Sequence, residues 1–149
     1  MTAKIALLLL CAAVGMGGAA AAPPPLLDGG GAVRPLPRPA IILFWASWCA
    51  PCQAELRGLA TLQKAVAPMP VILVALDGSV RSRAMLRHID PEAVRYPGSV
   101  DANMLNLVPG GAPGVPFAIA FDRQGIACGQ KGGGVAAADI VAWRDRCLR

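Results

Sequence analysis

Near residue 47 one hydrophobic pattern stops and another begins. Ile41 to Ala46 is a short, continuous apolar run rich in β-branched and aromatic residues, with prolines before it and Ser47 after it. Such a run fits a fully buried strand. From Ala50 the period changes: Leu56, Leu59, Leu62 and Val66 recur at helical spacing with Glu55, Arg57 and Lys64 among them. This spacing predicts an amphipathic helix ending near Pro68. Val71 to Leu76 is again continuously apolar and is closed by Asp77-Gly78. Strand, helix and strand in that order begin a βαβ unit, whose strands run parallel. At the first junction the sequence reads WASWCAPC, placing Cys49 and Cys52 at the start of the helix.

Further along, Arg81 to Ile89 is predicted helical, with Pro91 barring propagation, and Asp101 to Val108 is read as a short helix. Pro109 to Pro116 is a loop rich in proline and glycine. Phe117 to Phe121 alternates large and small residues, Asp122 to Gly125 supplies a turn, and Ile126 to Gln130 alternates back, so the pair is predicted to form a hairpin. Ala136 to Leu148 is a last helix with Ile140, Trp143 and Cys147 on one face.

The N-terminus has a different grammar. Lys4 is followed by an apolar stretch and then an Ala/Gly-rich tail reaching Ala22, which reads as a secretory signal over residues 1–21. The expected cut lies before Ala22, and an uncleaved membrane anchor is the alternative, because 18 uncharged residues approach the length of a bilayer span. Residues 22–39, dense in proline and glycine, are read as an extended arm, and residues 40–149 as one domain. Loss of Lys4 with the signal leaves 13 basic against 9 acidic side chains. A charge this mild is no nucleic-acid footprint, and Arg81, Arg83 and Arg87, without interleaved aromatics, read as a solvated helix face. Four cysteines then remain, Cys49, Cys52, Cys128 and Cys147, an even number that permits two disulfides in an oxidising compartment.

If Cys49 is the N-cap of the predicted helix, its sulfur faces the free backbone N–H of Cys52, and the helix dipole adds partial positive charge at the same point. Both favour thiolate over thiol, and the thiolate is the nucleophile. Pro51 is tolerated because first-turn N–H groups have no intrahelical partner. The spacing also keeps the sulfurs within bonding reach, with Cys49 at the helix tip and Cys52 one turn in. A zinc site normally needs four ligands, and Cys128, Cys147 and His88 lack the spacing to complete one. Haem attachment wants a histidine where Gln53 stands. No metal and no cofactor are therefore expected.

On the runs FWASWCAPCQAEL, from Phe44 to Leu56, and GVPFAIAFDRQG, from Gly114 to Gly125, the chain resembles the thioredoxin superfamily. Within it, the chain is similar to the exported TlpA/ResA-like proteins that include cytochrome c maturation reductases. The resemblance spans roughly Ile41 to Leu148. It implies an α/β fold of thioredoxin-like type, a central mixed β-sheet flanked by helices. It also implies thiol–disulfide oxidoreductase activity in the periplasm or an equivalent exported space. Its partners would be protein disulfides or dithiols and an upstream thiol electron donor, with no nucleic acid, and a membrane only if the signal stays uncleaved. Carried over by motif, Cys49 is the exposed nucleophile and Cys52 the buried resolving thiol, with Trp48 packed beside them. Pro116 matches the family's cis-proline, and Val115 before it would offer backbone groups to an extended partner segment.

The chain departs from the family in two places, at Leu43 and in the apolar run Phe117 to Phe121, which replaces the threonine-rich continuation frequent after the family's proline. Leu43 occupies the position six residues before the first cysteine where many thioredoxins carry a buried aspartate, so that acid is missing. Glu55 matches a glutamate common in the exported group, and a surface ion pair and a proton-handling role are equally compatible with its place. In a thioredoxin-like fold the last helix packs on the sheet, which makes a Cys128–Cys147 disulfide an expectation. An alternative class is a copper-handling or binding protein on the same fold, with the cysteines holding copper(I), although no Met-rich or His-rich segment supports it. Peroxide reduction is a third reading, and the cysteine context it needs is absent around WASWCAPC.

Overall fold

The computed structural model describes residues 26–27, 32–77, 79–89, 98–99 and 114–149. The signal or anchor assigned to residues 1–21 and the helix expected over Asp101 to Val108 lie outside them. Among the described residues no helix is long and apolar enough to cross a membrane.

The elements in chain order are β1 (Leu26–Leu27), β2 (Val33–Arg34), β3 (Ala40–Trp45), α1 (Ala50–Arg57), α2 (Leu59–Val66), β4 (Val71–Ala75), α3 (Val80–Leu86), β5 (Gly98–Ser99), β6 (Phe117–Phe121), β7 (Ala127–Gly132) and α4 (Ala137–Cys147). The described strands form one mixed sheet in the order β2-β1-β5-β4-β3-β6-β7. β3 and β4 run parallel with Ile41 opposite Val71, as the strand–helix–strand reading requires. β6 lies antiparallel on the other side of β3 with Phe44 opposite Phe117, and β7 returns antiparallel along β6. This is the α/β architecture expected, with three two-residue strands extending one side. Leu26–Leu27 and Val33–Arg34 belong to the stretch expected as an arm, yet they pair with one another and with β5, so part of that arm joins the sheet.

Strand alternation sorts the core onto two faces. Ile41, Leu43, Trp45, Val71, Leu73, Ala75, Ala118 and Ala120 face the cluster that takes in Leu56, Leu59, Leu62, Val66, Ile140, Trp143 and both Cys49 and Cys52. Ile42, Phe44, Ile72, Val74, Phe117, Ile119 and Phe121 form the cluster on the opposite face. The large–small alternation of β6 thus puts its alanines beneath the helices and its aromatics on the far side. Each fully buried Leu, Ile or Phe contributes about 1.5–3 kcal/mol of transfer free energy, which is why β3 and β4 carry no polar residue.

The single helix expected from Ala50 to near Pro68 is interrupted at Gly58, which ends α1 and begins α2. Glycine's low helix propensity makes it the weakest position in the run, while the buried Leu56, Leu59, Leu62 and Val66 keep both segments on the sheet. The hairpin turn is held by Asp122, whose carboxylate accepts from the N–H groups of Gln124 at 2.9 Å and Ile126 at 2.8 Å. Gly125, at φ 83°, supplies the left-handed residue the turn needs. Gly129 on β7 lies directly under Trp143, where a Cβ would sit 2.5 Å from the indole ring.

Candidate active site

β3 ends at Trp45 and the chain turns through Ala46, Ser47 and Trp48 into α1, with Cys49 N–H donating to the Ala46 carbonyl at 3.1 Å. Cys49 has extended backbone angles and is the N-cap, its Sγ accepting from Cys52 N–H at 3.2 Å. Pro51 falls within the first turn, where no N–H is missed, and no acidic residue lies there to offset the positive end of the helix. Cys49 and Cys52 are joined as a disulfide, with S–S 2.02 Å and Cα–Cα 5.3 Å. The helix tip therefore presents one sulfur to an unsatisfied backbone donor and keeps the second within bonding reach of it.

Accessibility differs from the expectation. Cys49 is only 4% exposed and Cys52 is fully buried, whereas Trp48 is 68% exposed. Trp48 stands out from the surface. Ser47 turns inward and is buried, so the next residue along the tight turn is directed outward. In the disulfide form Cys49 keeps a narrow accessible edge at the base of this tryptophan's turn, rather than the open exposure its assigned role suggested.

Pro116 is buried, and its bond to Val115 is cis. The pairing of Phe44 with Phe117 sets Pro116 at the end of the sheet from which β3 runs into the cysteine turn. The Pro116 carbonyl accepts from Gly133 N–H at 2.9 Å, which draws the end of β7 to the same place. A Cβ on Gly134 would lie 3.8 Å from both Pro116 Cγ and Glu55 Oε1, so these two residues flank that glycine. Val115 is half-buried and packs against both core clusters.

Glu55 makes no surface ion pair among the described residues. Its Oε1 accepts from Val135 N–H at 2.9 Å, 80 positions along the chain. Partial burial raises its pKa, with the Val135 hydrogen bond opposing that rise. Leu43, where the family's acid is absent, is buried in the same cluster as both cysteines, so the wall behind Cys52 is apolar.

A set of polar residues beside the pair was not singled out in the sequence. Asp77 accepts from Ser47 N–H at 2.9 Å and from the Ser47 hydroxyl, and also from Ser79 Oγ at 3.0 Å and Ser82 Oγ at 2.7 Å. Burial would raise the Asp77 pKa, but hydrogen bonds from Ser47, Ser82 and Ser79 outweigh it and hold the carboxyl below its ordinary value. No local signal announces a contact between residues 30 positions apart. Away from this end, Cys128 of β7 and Cys147 of α4 are joined as a disulfide, with Cα–Cα 5.6 Å.

The sheet order, the parallel β3–β4 pair and the intervening helix define an α/β protein of thioredoxin-like fold, with the Cys49–Cys52 disulfide at the tip of that helix. Solved structures agree on this fold. The chain is similar to dsbF from MTB, solved in mixed oxidized and reduced forms, at 18% identity and TM-score 0.67, covering 87% of this chain and 98% of that one. It is similar to a thioredoxin-related protein from Neisseria meningitidis serogroup B, at 21% identity and TM-score 0.63, covering 80% and 96%. A third likeness is to a thiol:disulfide interchange protein of the thioredoxin family from Chlorobium tepidum TLS, at 20% identity and TM-score 0.61, covering 85% and 95%. No protein-family model and no curated protein sequence matches the chain significantly.

Proposed function

We propose that this protein is a thiol–disulfide oxidoreductase that exchanges electrons with protein disulfides or dithiols. The observation that carries the reading is Cys49 at the N-cap of α1, its sulfur 3.2 Å from the free N–H of Cys52 and bonded to the Cys52 sulfur. In the reduced state the same N–H and the helix dipole favour thiolate at Cys49. The Cys49 thiolate attacks one sulfur of a partner disulfide, forming a mixed disulfide and releasing the partner's other sulfur as a thiolate. Cys52 then gives up its proton and attacks Cys49, closing the Cys49–Cys52 bond and releasing the second partner sulfur. The partner gains two electrons, this chain loses two, and an upstream thiol donor restores the dithiol. Run backwards, the sequence oxidises a partner dithiol.

Glu55, one turn after Cys52 and with a raised pKa, supports a role as proton acceptor where Leu43 leaves none. Trp48 and Val115 form the surface for the partner, Trp48 through its exposed ring and Val115 through backbone groups beside Pro116 that pair with an extended segment. The relatives named above as thiol:disulfide interchange and thioredoxin-related proteins are consistent with this chemistry. The leader at residues 1–21 and the second disulfide suit an exported, periplasmic setting, and reduction of partners in cytochrome c maturation or a related pathway is the corresponding task.

The test is reduction of insulin disulfides together with trapping of mixed disulfides. Cys49→Ser is expected to abolish turnover, and Cys52→Ser to accumulate a covalent partner adduct through Cys49. Full turnover by Cys49→Ser together with no adduct from Cys52→Ser would refute the assignment. The reduction potential sets the direction: a value near about −270 mV marks a reductant and one near about −120 mV an oxidant.

A further inference from the structure

The turn that presents Cys49 is held by few bonds of its own. Apart from Cys49 N–H to the Ala46 carbonyl, its order comes through Ser47, every polar group of which is engaged. Ser47 N–H and hydroxyl both donate to the Asp77 carboxylate, and the Ser47 carbonyl accepts from Gln53 Nε2 at 3.0 Å. On its other side the same carboxylate accepts from Ser79 Oγ and Ser82 Oγ, at the start of α3. Ser79 is the N-cap of α3, accepting from Ser82 N–H at 3.1 Å. Ser82 Oγ also lies 2.8 Å from the Asp77 carbonyl, so its single hydrogen is shared between carbonyl and carboxylate.

Each Asp77 oxygen thus takes two donors, which fills the roughly four acceptor sites a carboxylate has. The charge is thus engaged in charge-assisted hydrogen bonds that join the redox turn to the start of α3. Ser47 and Ser82 are both buried, which shields their side of these bonds from water.

We propose that Asp77 is a positioning residue for Cys49, acting through Ser47 to clamp the redox turn onto the N-terminus of α3 and so keep the Cys49 sulfur in register with the Cys52 N–H. The inference rests on Cys49 being the activated nucleophile of the preceding reading. Its consequence is that the thiolate character of Cys49 depends on a serine hydroxyl two residues away that never touches the sulfur.

The experiment is the pH dependence of Cys49 alkylation by iodoacetamide in the fully reduced protein, with the modified cysteine identified by peptide mass mapping. Ser47→Ala changes no charge. It is expected to raise the alkylation midpoint by about 0.5–1 pH unit, the scale of a weakened N-cap interaction. Ser47→Thr, which keeps the hydroxyl, is expected to restore the wild-type profile. In an Asp77→Asn background, the added Ser47→Ala change should have little further effect, because its partner is already altered. A folded Ser47→Ala protein with an unchanged midpoint overturns the proposal, and so does a shift that Ser47→Thr fails to rescue. Should Asp77→Asn not fold, the Ser47→Ala and Ser47→Thr pair still decides. A wild-type midpoint at the ordinary cysteine value of about 8.5 would instead refute the activated nucleophile itself, separating the two failures.

Discussion

Replacing Cys128 and Cys147 together by alanine removes the bond that ties β7 to α4 while leaving the Cys49–Cys52 pair intact. The two residues are 19 positions apart in sequence, and on the chain-entropy account closing a loop of that length stabilises the folded state by about 3 kcal/mol. Cys147 is buried in the helix-side cluster with Ile140 and Trp143, so its truncation adds a small packing loss to the same side of the balance. The sum, about 3–4 kcal/mol, is a large part of the total stability of a domain this size. Urea unfolding of both proteins with the active pair oxidised measures it, and the expected fall in Tm is roughly 10–15 °C. The m-value should rise for the double variant, because its unfolded chain is no longer cross-linked. A loss below about 1 kcal/mol would refute the loop-entropy reasoning. Two free thiols at these positions in a non-reducing peptide map would remove the bond altogether.

Gly129→Ala places a Cβ within 2.5 Å of the near side of the Trp143 ring, and the buried indole must shift. We expect a loss of about 2–3 kcal/mol by thermal unfolding, and a cost under about 0.5 kcal/mol would show that α4 moves away freely. For Glu55 the raised pKa means that the folded state holds more protons than the unfolded one just above the ordinary carboxylate range. Wild-type stability should therefore climb as pH falls through that window. Glu55→Gln should lack this increment while still accepting from Val135 N–H, and identical pH–stability curves for the two would contradict it. Asp77 has the opposite sign: its depressed pKa contributes stability that is present above the ordinary carboxylate value and lost as pH falls through the folded value. Asp77→Asn should cost about 2 kcal/mol at neutral pH and much less in strong acid, read by urea unfolding at both. A cost independent of pH would show that the carboxylate's charge is not what holds the three serines.

What the chain determined by itself is what acts over a few residues. The continuous apolar runs made β3 and β4 buried strands, because two covered faces leave no room for polar side chains. The three- and four-residue recurrence of Leu56, Leu59, Leu62 and Val66 placed their helix face on the sheet. The hairpin of β6 and β7 followed from its turn residues. The chemistry at Cys49 was legible for the same reason, since an N-cap meets an N–H only three residues on. The interruption at Gly58 had a local signal, but tertiary packing of the two flanking segments decided that both remained helical.

Tertiary structure alone supplied the partners that lie far apart in sequence. Strand register brought Pro116 to the cysteine end of the sheet, and the return of β7 carried Val135 to Glu55, turning a residue compatible with a surface ion pair into a half-buried acid. The parallel crossover laid the end of β4 beside the end of β3, so that Asp77 met Ser47. The inward turn of Ser47 left Trp48 outside and Cys49 nearly covered. Periodicity and capping are fixed by neighbours along the chain, whereas a hydrogen bond between residues 30 or 80 positions apart exists only once the sheet has set the register.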